Sequence, residues 1–520
     1  MKFLTQIKLV FLDLYSVLNL ILTYPEMAST KTRSKLSRRE FMRLSAAAAA
    51  GVSMLPALSC TSTVIPSPMK RRFGRINFDV TTIGLGGQGS LMWTPEGIEP
   101  VDIIIKAFDL GINYYDTSNA YGPSQMNYGK AFRKLNLVPG QKGYDQKLRE
   151  SIFLTTKTMV RWAKGGYPVL DNVRNSTDGD HGEGAVADLK RSLSQMFGNN
   201  DGTYPEGAYV NMILIHNITN AEEVDVVYQG LETPLDINEN FGALVALRDY
   251  RDGTNITGLN PKNEKLVRHL GFSGHNNAPV MMDMIRRDKW ELLDAMLVAI
   301  NVNDRRYLNM QYNVIPVAQA KNMGVIAMKV FADGTMYTKE PGWSNKPEHV
   351  VRIIGTESVP SKPLIEYVLT TPGIHTLIIG TGQVNDDPLK CQLVQNYYAA
   401  QIKSDALSEN ERRELEKIGA RARNGETNYF QLADTGLTPP GNAKLIKSDG
   451  VKLSWDTSNA GNEPITHYEI ISDGKVVGTV QHIPQVSRDP FSYEIPSGKE
   501  FKIVAVDAIG RKSATEVLTV

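Results

Sequence analysis

The feature that most constrains the fold is a repeated alternation of short β-rich runs with longer amphipathic stretches, beginning near Arg72. Eight runs predict strands, at Val80–Leu85, Asn113–Tyr115, Ile152–Thr156, Val210–Ile215, Val267–Phe272, Ala295–Val302, Val325–Met328 and Thr376–Ile379. Helical candidates lie between them, at Val101–Leu110, Ala185–Phe197 and Pro363–Thr371. Eight strand–helix units over roughly 350 residues predict an α/β fold, the (β/α)8 TIM barrel. A doubly wound parallel sheet is the alternative.

A glycine-rich turn follows the first predicted strand. Gly84-Leu85-Gly86-Gly87-Gln88-Gly89 fits the G-x-G-x-x-G pattern of a dinucleotide-binding turn. Such a turn should run directly into a helix, yet the next helical candidate begins only near Val101. We therefore interpret the glycines as the end of the first barrel strand, where the backbone near Gly87 and Gln88 can approach a cofactor or substrate.

Composition excludes several classes of function. A net charge of +1 gives no electrostatic reason to expect nucleic acid as a partner. The chain has two cysteines, Cys60 and Cys391, too few for a disulfide framework or a multi-cysteine metal site. Its eight histidines are scattered without metal-ligand spacing, so no metal is expected.

Polar side chains follow three successive predicted strands. Asp116 and Tyr121 come after the second strand, Lys157 ends the third, and His216 ends the fourth. Each residue alone has an ordinary structural interpretation, such as a loop cap or a solvated lysine. Because the carboxyl ends of parallel barrel strands converge on one face, the four together indicate a catalytic site.

The chain resembles the aldo-keto reductase family from roughly Phe73 to Ala422. The resemblance is carried by "GINYYDTSNAYGPSQMNYGKAF" and, in the expected order, by "FLTTK", "MILIH", "RHLGFSGH", "GVIAMK" and "LIIGTGQV". It implies an NADP(H)-dependent carbonyl reductase, with NAD(H) as the alternative cofactor. It also implies that Tyr121 is the general acid, that Lys157 and Asp116 support it, and that His216 orients the carbonyl.

The chemistry of carbonyl reduction agrees with these roles. Hydride delivery builds negative charge on the carbonyl oxygen, so a proton donor must lie within hydrogen-bond reach. A buried ammonium near a phenol favours the phenolate, and a carboxylate beside that ammonium holds it charged. The nicotinamide would supply the hydride, while the protein supplies position and field.

The resemblance also implies contacts to the cofactor. The implied residues are Gly87, Gln88, Ser273, Asn301, Asn303, Lys329, Gly380, Thr381, Gln383 and Asn396. This chain departs from the family at several of these places. Gly274 and His275 follow Ser273 where the family often has Asn, and Gln392 stands where an Arg would favour a 2′-phosphate. Gln125 replaces a glutamate of the signature.

The substrate side of the site is less defined. Two long connections, Thr158–Gly184 and Asn217–Leu266, are predicted to lie over the barrel mouth. Trp162, Tyr167 and His181 in the first indicate space for more than a simple aldehyde, such as a sugar. Two other functions stay open: a catalytically idle, cofactor-sensing barrel, and a surface protein that binds glycans or proteins.

Residues 1–65 are predicted to be an export signal and linker. Ser37-Arg38-Arg39-Glu40-Phe41 has the S-R-R-x-F core of a twin-arginine signal, and a short alanine-rich apolar stretch follows. Cys60 is a candidate lipid-attachment site. We expect a periplasmic or lipid-anchored protein whose translation starts at Met27, since the apolar stretch upstream of that residue is unusual before such a signal.

The barrel is predicted to span residues 72–432, and a different composition follows. Residues 436–520 alternate apolar and polar positions with period two, which predicts a small all-β sandwich. This segment resembles a fibronectin type III domain, with Trp455 and Tyr468 as core aromatics and Phe501 where a tyrosine is usual. We expect this domain to act as a spacer or to dock onto a glycan or a protein.

Overall fold

The computed structural model of the protein contains a closed parallel barrel, and its first strand lies within the first predicted strand. The model describes residues 65–158, 169–170, 173–174, 181–232, 234–238, 241–337, 339–448, 450–494 and 500–519. Residues 1–64, including the predicted signal, Met27 and Cys60, lie outside this range, as do Trp162 and Tyr167. Across these described stretches, every helix is too short or too polar to cross a bilayer.

The barrel consists of eight parallel strands that neighbour one another in chain order and close on themselves. The strands before and within the barrel are β1 (Lys70–Arg72), β2 (Asp79–Thr81), β3 (Ile83–Leu85), β4 (Tyr114–Asp116), β5 (Phe153–Thr158), β6 (Val169–Leu170), β7 (Val173–Arg174), β8 (Val210–Ile215), β9 (Val267–Gly274), β10 (Leu293–Ala299), β11 (Gly324–Met328) and β12 (Thr376–Ile379). Strands β3, β4, β5 and β8 to β12 form the barrel. The predicted α/β barrel is therefore confirmed, and the doubly wound sheet is wrong.

Helices connect the strands and cover the outside of the barrel. They are α1 (Pro100–Asp109), α2 (Ser124–Lys134), α3 (Gln146–Glu150), α4 (His181–Phe197), α5 (Ala221–Tyr228), α6 (Ala243–Asp252), α7 (Ala278–Arg287), α8 (Val314–Ala320), α9 (Ser361–Leu369), α10 (Gln392–Ala399) and α11 (Glu409–Gly419). Short 3-10 turns lie at Gly89–Leu91, Asp304–Arg306, Ala332–Gly334, Pro347–His349 and Arg423–Gly425. The helical candidate Ala185–Phe197 lies within α4, and its apolar residues Leu189, Leu193 and Met196, which recur at helical spacing, are fully buried.

Three sequence predictions need correction. The run Val80–Leu85 is not one strand, because β2 pairs with β1 in a separate two-stranded sheet, whereas β3 pairs with strands of the barrel. The predicted sixth strand extends three residues too far, since the chain turns after β10. Asn217–Leu266 is not an irregular connection, because it contains α5 and α6, whose apolar residues pack onto the barrel.

The C-terminal part is an antiparallel β structure. Its strands are β13 (Gly441–Ser448), β14 (Gly450–Asp456), β15 (Ile465–Ser472), β16 (Lys475–Gln481), β17 (Phe491–Glu494), β18 (Glu500–Asp507), β19 (Lys512–Ala514) and β20 (Leu518–Thr519). Strands β13, β14 and β17 form one sheet, and the others form a second. Trp455 and Tyr468 are buried between the sheets with ring centroids 5.6 Å apart, as predicted for core aromatics.

Buried hydrogen bonds join the C-terminal sheets to the barrel. Asn313, in the loop before α8, accepts the Ala460 N–H at 2.8 Å and donates to the Ala460 carbonyl at 3.1 Å. Arg305 forms ion pairs of 2.6 Å with Glu416 of the barrel and with Glu463 of the C-terminal part. Because directional bonds reach across from both sides, residues 66–520 form one compact unit.

This junction predicts the effect of removing one side chain. Asn313→Ala leaves the buried Ala460 N–H without its acceptor and the Ala460 carbonyl with only the 3.4 Å bond from Asn309, which should cost about 1–3 kcal/mol. Urea unfolding followed by tryptophan fluorescence measures the change. The control is Asn385→Ala, an exposed asparagine whose loss should cost less than about 0.5 kcal/mol. Equal costs for the two variants would show that the junction adds no stability.

Candidate active site

The strand register places the predicted catalytic residues on one face of the barrel interior. Asp116 pairs with Thr155 of the neighbouring strand β5, and Lys157 lies two residues further along β5. Because side chains alternate along a strand, Thr155 and Lys157 point to the same side. Lys157 therefore reaches the carboxylate of Asp116 from the adjacent strand.

Asp116 and Lys157 form a buried ion pair. Lys157 Nζ lies 2.6 Å from Asp116 Oδ1 and donates a second hydrogen bond of 2.9 Å to the Thr117 carbonyl. Their side chains are 2% and 0% exposed. Burial raises the pKa of Asp116 and lowers the pKa of Lys157, and in each case the charge of the partner opposes the shift. The pair holds a positive charge inside the site.

Tyr121 lies between this charge and His216. Lys157 Nζ is 4.7 Å from the centre of the Tyr121 ring. The His216 ring packs edge-on against the Tyr121 ring, with centroids 5.9 Å apart. The four residues that the sequence singled out therefore form one continuous cluster.

A cleft opens onto this cluster. Its wall includes Asp116, Tyr121 and His275, together with the glycine-rich turn after β3 and the turn after β12. Trp93, Phe331 and His349 add aromatic rings to the wall.

Residues 339–353, which we call the strap, form one side of the cleft. Asp333 holds the beginning of the strap, because it accepts hydrogen bonds from the Ser344 N–H at 3.0 Å and from Lys339 Nζ at 2.8 Å. Gln392 holds its end, donating to the carbonyls of Val351 and Ile353. Burial raises the pKa of Asp333, but Lys329 and Lys339 outweigh it and hold that pKa well below its ordinary value.

Several predicted cofactor residues lie where expected. Gly87, Gln88, Lys329 and Gly380 line the cleft. Ser273 is buried at the end of β9, where its Oγ accepts the N–H of Asn217 at 2.9 Å. Lys329 is not a solvated lysine, because it forms an ion pair of 3.2 Å with Asp333 and lies 4.8 Å from the Trp343 ring.

Asn301 and Asn303 do not fit the cofactor contacts predicted for them. Asn301 donates to Lys329 O and to Asn428 Oδ1, and its own Oδ1 accepts from Asn303 and Asn428. Asn303 donates to Gly419 and Thr427. Through these bonds the two asparagines join the C-terminal segment of the barrel to β10, and Asn303 Oδ1 is buried without a hydrogen-bond partner among the described residues.

The turn after β12 is only partly available to an anion. The N–H of Gly382 already donates to Gln392 Oε1 at 2.7 Å, and Gln383 donates to the carbonyl of Arg352. By contrast, Thr381 Oγ1 and both amide atoms of Asn396 are buried without a hydrogen-bond partner among the described residues. These groups, like Asn303 Oδ1, retain unused hydrogen-bonding capacity.

The sequence analysis missed the groups that shape the cleft mouth. Trp343 packs edge-on against both His275, at 5.2 Å, and Tyr429, at 5.5 Å. Asp333 links Tyr429 to the strap that carries Trp343, since it accepts a hydrogen bond of 2.8 Å from the Tyr429 hydroxyl and another from the Ser344 N–H of the strap. Only the position of Asp333, just after β11, could have indicated a site residue.

The sequence model of the aldo/keto reductase family matches residues 82–352 of this chain. The chain belongs to this family.

Among solved structures, a putative aldo-keto reductase from Pseudomonas aeruginosa is 21% identical to this chain with a TM-score of 0.39, and the match covers 64% of this chain and 97% of that one. One from Klebsiella pneumoniae, in complex with NADP and acetate, is 18% identical with a TM-score of 0.41, over 67% and 94%. A Klebsiella pneumoniae complex with NADPH is 16% identical with a TM-score of 0.41, over 68% and 95%. No curated protein sequence matches this chain.

The buried ion pair predicts a strong dependence of stability on its two members. Asp116→Asn leaves a buried ammonium without its counter-charge, which should cost about 3–5 kcal/mol. The double variant Asp116→Asn, Lys157→Met removes both charges and should cost clearly less than the sum of the single changes. Thermal and urea unfolding of Asp116→Asn, Lys157→Met and the double variant tests this prediction. Strictly additive costs would contradict the pairing.

Proposed function

We propose that this protein is an NADP(H)-dependent oxidoreductase that interconverts a carbonyl compound and the corresponding alcohol. The observation that carries the proposal is the cluster of Asp116, Lys157, Tyr121 and His216 beside one cleft. A binding or sensing role alone gives no physical reason to bury an ion pair next to a phenol at the base of a cleft. Membership of the aldo/keto reductase family supports the same chemistry.

Two stretches of backbone in the cleft support a nicotinamide dinucleotide as the cofactor. Gly87 and Gly380 line it without side chains, so a planar ring and phosphates can approach the backbone there. Ser273, Thr381 and Asn396 are the polar residues that would hold the cofactor, and the last two have buried polar atoms without partners. The two Klebsiella pneumoniae enzymes were crystallised with NADP and NADPH, which supports the choice of cofactor.

The protein's own residues would manage the proton of the reaction. NADPH, held by Ser273, Thr381 and Asn396, would supply the hydride to the carbonyl carbon. Tyr121 donates its hydroxyl proton to the carbonyl oxygen, so the product is the alcohol and a phenolate remains. The ammonium of Lys157 stabilises that phenolate until solvent returns the proton, while Asp116 keeps Lys157 charged. His216 donates a hydrogen bond that orients the carbonyl oxygen.

This mechanism predicts the result of removing one hydroxyl. Tyr121→Phe should lower kcat by about 10²–10⁴-fold, because the general acid is lost. Affinity for NADPH should stay unchanged, since the ring and its packing remain. Absorbance of NADPH during reduction of a panel of carbonyls and sugars, with nucleotide binding measured separately, checks both values. Tyr144→Phe, far from the cleft, is the matched control, and an equally active Tyr121→Phe enzyme would rule out this role.

We further propose that the protein is exported by the twin-arginine pathway to the periplasm, free or lipid-anchored at Cys60. Arg38 and Arg39 in the S-R-R-x-F sequence support this. Because this pathway moves folded proteins, a chain that binds its cofactor before export would carry it along. The C-terminal part, with its resemblance to fibronectin type III domains, would contact a glycan or another protein at that site.

Export predicts a sharp effect of two conservative changes. Replacing both Arg38 and Arg39 by lysine should leave the full-length precursor in the cytoplasm, since lysine keeps the charge but not the signal. Cell fractionation with immunodetection measures the distribution. Arg33→Lys, outside the S-R-R-x-F sequence, should be exported normally. Normal export of the double variant would refute the twin-arginine route.

A further inference from the structure

We propose that Asp188 is a positioning residue for the general acid, because it joins the turn that carries Tyr121 to the strand that carries Lys157. The inference rests on the proposed carbonyl reduction and adds a residue from outside the catalytic cluster. Asp188 lies on α4, one of the helices that cover the barrel, and it is fully buried.

Tyr121 belongs to a tight turn that follows β4. Its N–H donates to the Ser118 carbonyl at 3.0 Å, which closes a four-residue turn with Asn119 and Ala120 at its centre. The Tyr121 carbonyl accepts the Ser124 N–H, at the start of α2, at 2.9 Å. The position of the phenol therefore depends on where this turn is held.

Asn119, inside the turn, is bonded to two side chains of α4. The Arg191 guanidinium donates to Asn119 Oδ1 at 2.6 Å. Because a guanidinium only donates, this bond sets the orientation of the amide and directs its nitrogen toward Asp188. Asn119 Nδ2 donates to Asp188 Oδ1. Both residues are buried, so water does not compete for this bond.

The second oxygen of Asp188 reaches the strand of Lys157. Thr158 Oγ1 donates to Asp188 Oδ2 at 2.8 Å. Thr158 follows Lys157 directly in β5, and successive side chains of a strand point to opposite sides. Lys157 therefore faces the barrel interior while Thr158 faces α4. One carboxyl group thus connects the turn of the acid with the strand of its cation.

The same helix also holds the chain beyond Tyr121. Gln125, in the first turn of α2, donates to Thr156 Oγ1 of β5 at 2.7 Å and to Ser192 Oγ of α4 at 3.0 Å. The two hydroxyl oxygens are themselves 3.0 Å apart. Ser192 lies one helical turn after Asp188. The chain on both sides of Tyr121 is therefore tied to α4 and β5.

This connection affects the chemistry because the field of the ammonium on the phenol depends on their separation. Lys157 Nζ is 4.7 Å from the centre of the Tyr121 ring. An opposite charge within about 4–6 Å stabilises the charged form of a titratable group, and that effect weakens with distance. Asp188 acts on the reaction by keeping the turn of Tyr121 against β5.

The test removes the connection and follows the phenol itself. In Asp188→Ala the pKa of the Tyr121 phenol should rise by about 1, because the turn moves away from the ammonium. ¹³C NMR of ring-labelled tyrosine in the protein without cofactor measures this pKa, and Tyr121→Phe assigns the signal. The other ionisable members of the cluster, Asp116, Lys157 and His216, keep their side chains.

Turnover gives a second readout. With the carbonyl compound that the wild-type enzyme reduces fastest, Asp188→Ala should lower kcat by about 10–100-fold, because a small displacement of the acid misaligns it. The affinity for NADPH should stay unchanged. A loss of fold would instead lower kcat and NADPH binding together.

Two further variants show whether the hydrogen bonds are the cause. Asp188→Asn can still accept from Asn119 and can donate to Thr158 Oγ1, so it should restore most of kcat and keep the Tyr121 pKa near its wild-type value. Thr158→Val removes only the bond to β5. It should change both readouts in the same direction as Asp188→Ala, but less.

Asp249 provides the matched control. It is also fully buried, and it accepts hydrogen bonds of 2.6 Å from the hydroxyls of Thr254 and Thr257. These bonds tie α6 to the loop that follows it. Asp249→Ala should lower the midpoint of thermal unfolding, yet leave the Tyr121 pKa and kcat at their wild-type values.

The outcomes are distinguishable. An unchanged Tyr121 pKa in Asp188→Ala, or an equal change in Asp249→Ala, would overturn the inference and leave the proposed reductase intact. Asp188→Asn as impaired as Asp188→Ala would also overturn it, since loss of the connection would not be the cause. If Asp188→Ala does not fold, Thr158→Val decides through the same pKa. A wild-type protein that reduces no carbonyl would refute the proposed function, while the NMR titration would still test the connection.

Discussion

The ion pair between Asp116 and Lys157 is the interaction on which the rest of the site depends. Two charges without solvent contact persist only when their geometry is close and their surroundings are fixed. The barrel provides both, because adjacent strands set the 2.6 Å separation through their register. Gly87 also contributes, since a Cβ at this position would lie 2.5 Å from the Asp116 carbonyl. The glycine-rich turn after β3 therefore allows close packing of the strands next to the site, and it is not the dinucleotide-binding turn that its G-x-G-x-x-G pattern suggests.

A second constraint acts at the mouth of the barrel, where distant parts of the chain meet. Asn428 exchanges hydrogen bonds with Asn301, and Tyr429 donates to Asp333. Through these contacts the segment that ends the barrel is tied both to β10 and to the strap. The loop after β10 also carries Asn313, which holds the C-terminal sheets. The C-terminal part is thereby connected to the wall of the cleft through a series of hydrogen bonds.

The sequence predicted the polar residues that end or closely follow the barrel strands, and it missed those that distant segments bring to the cleft. Asp116, Lys157 and His216 end apolar runs, so their convergence follows from the parallel barrel alone. Asn301 ends a run in the same way, yet its amide is fully bonded to other residues of the protein. Hydrogen-bond partners such as Asn428, more than a hundred residues away, have no signature in local spacing.

What the sequence by itself determined is the barrel, the buried C-terminal aromatics and the four polar residues that cluster at the candidate active site. Strand–helix periodicity and the position of polar residues at strand ends are local properties, and they carry these conclusions directly. Only the tertiary structure decided that Lys329 is paired with Asp333, that Gln392 holds the strap, and that His275 faces the cleft beside Tyr121. These depend on contacts between segments far apart in the chain, whose partners are selected by packing rather than by sequence pattern.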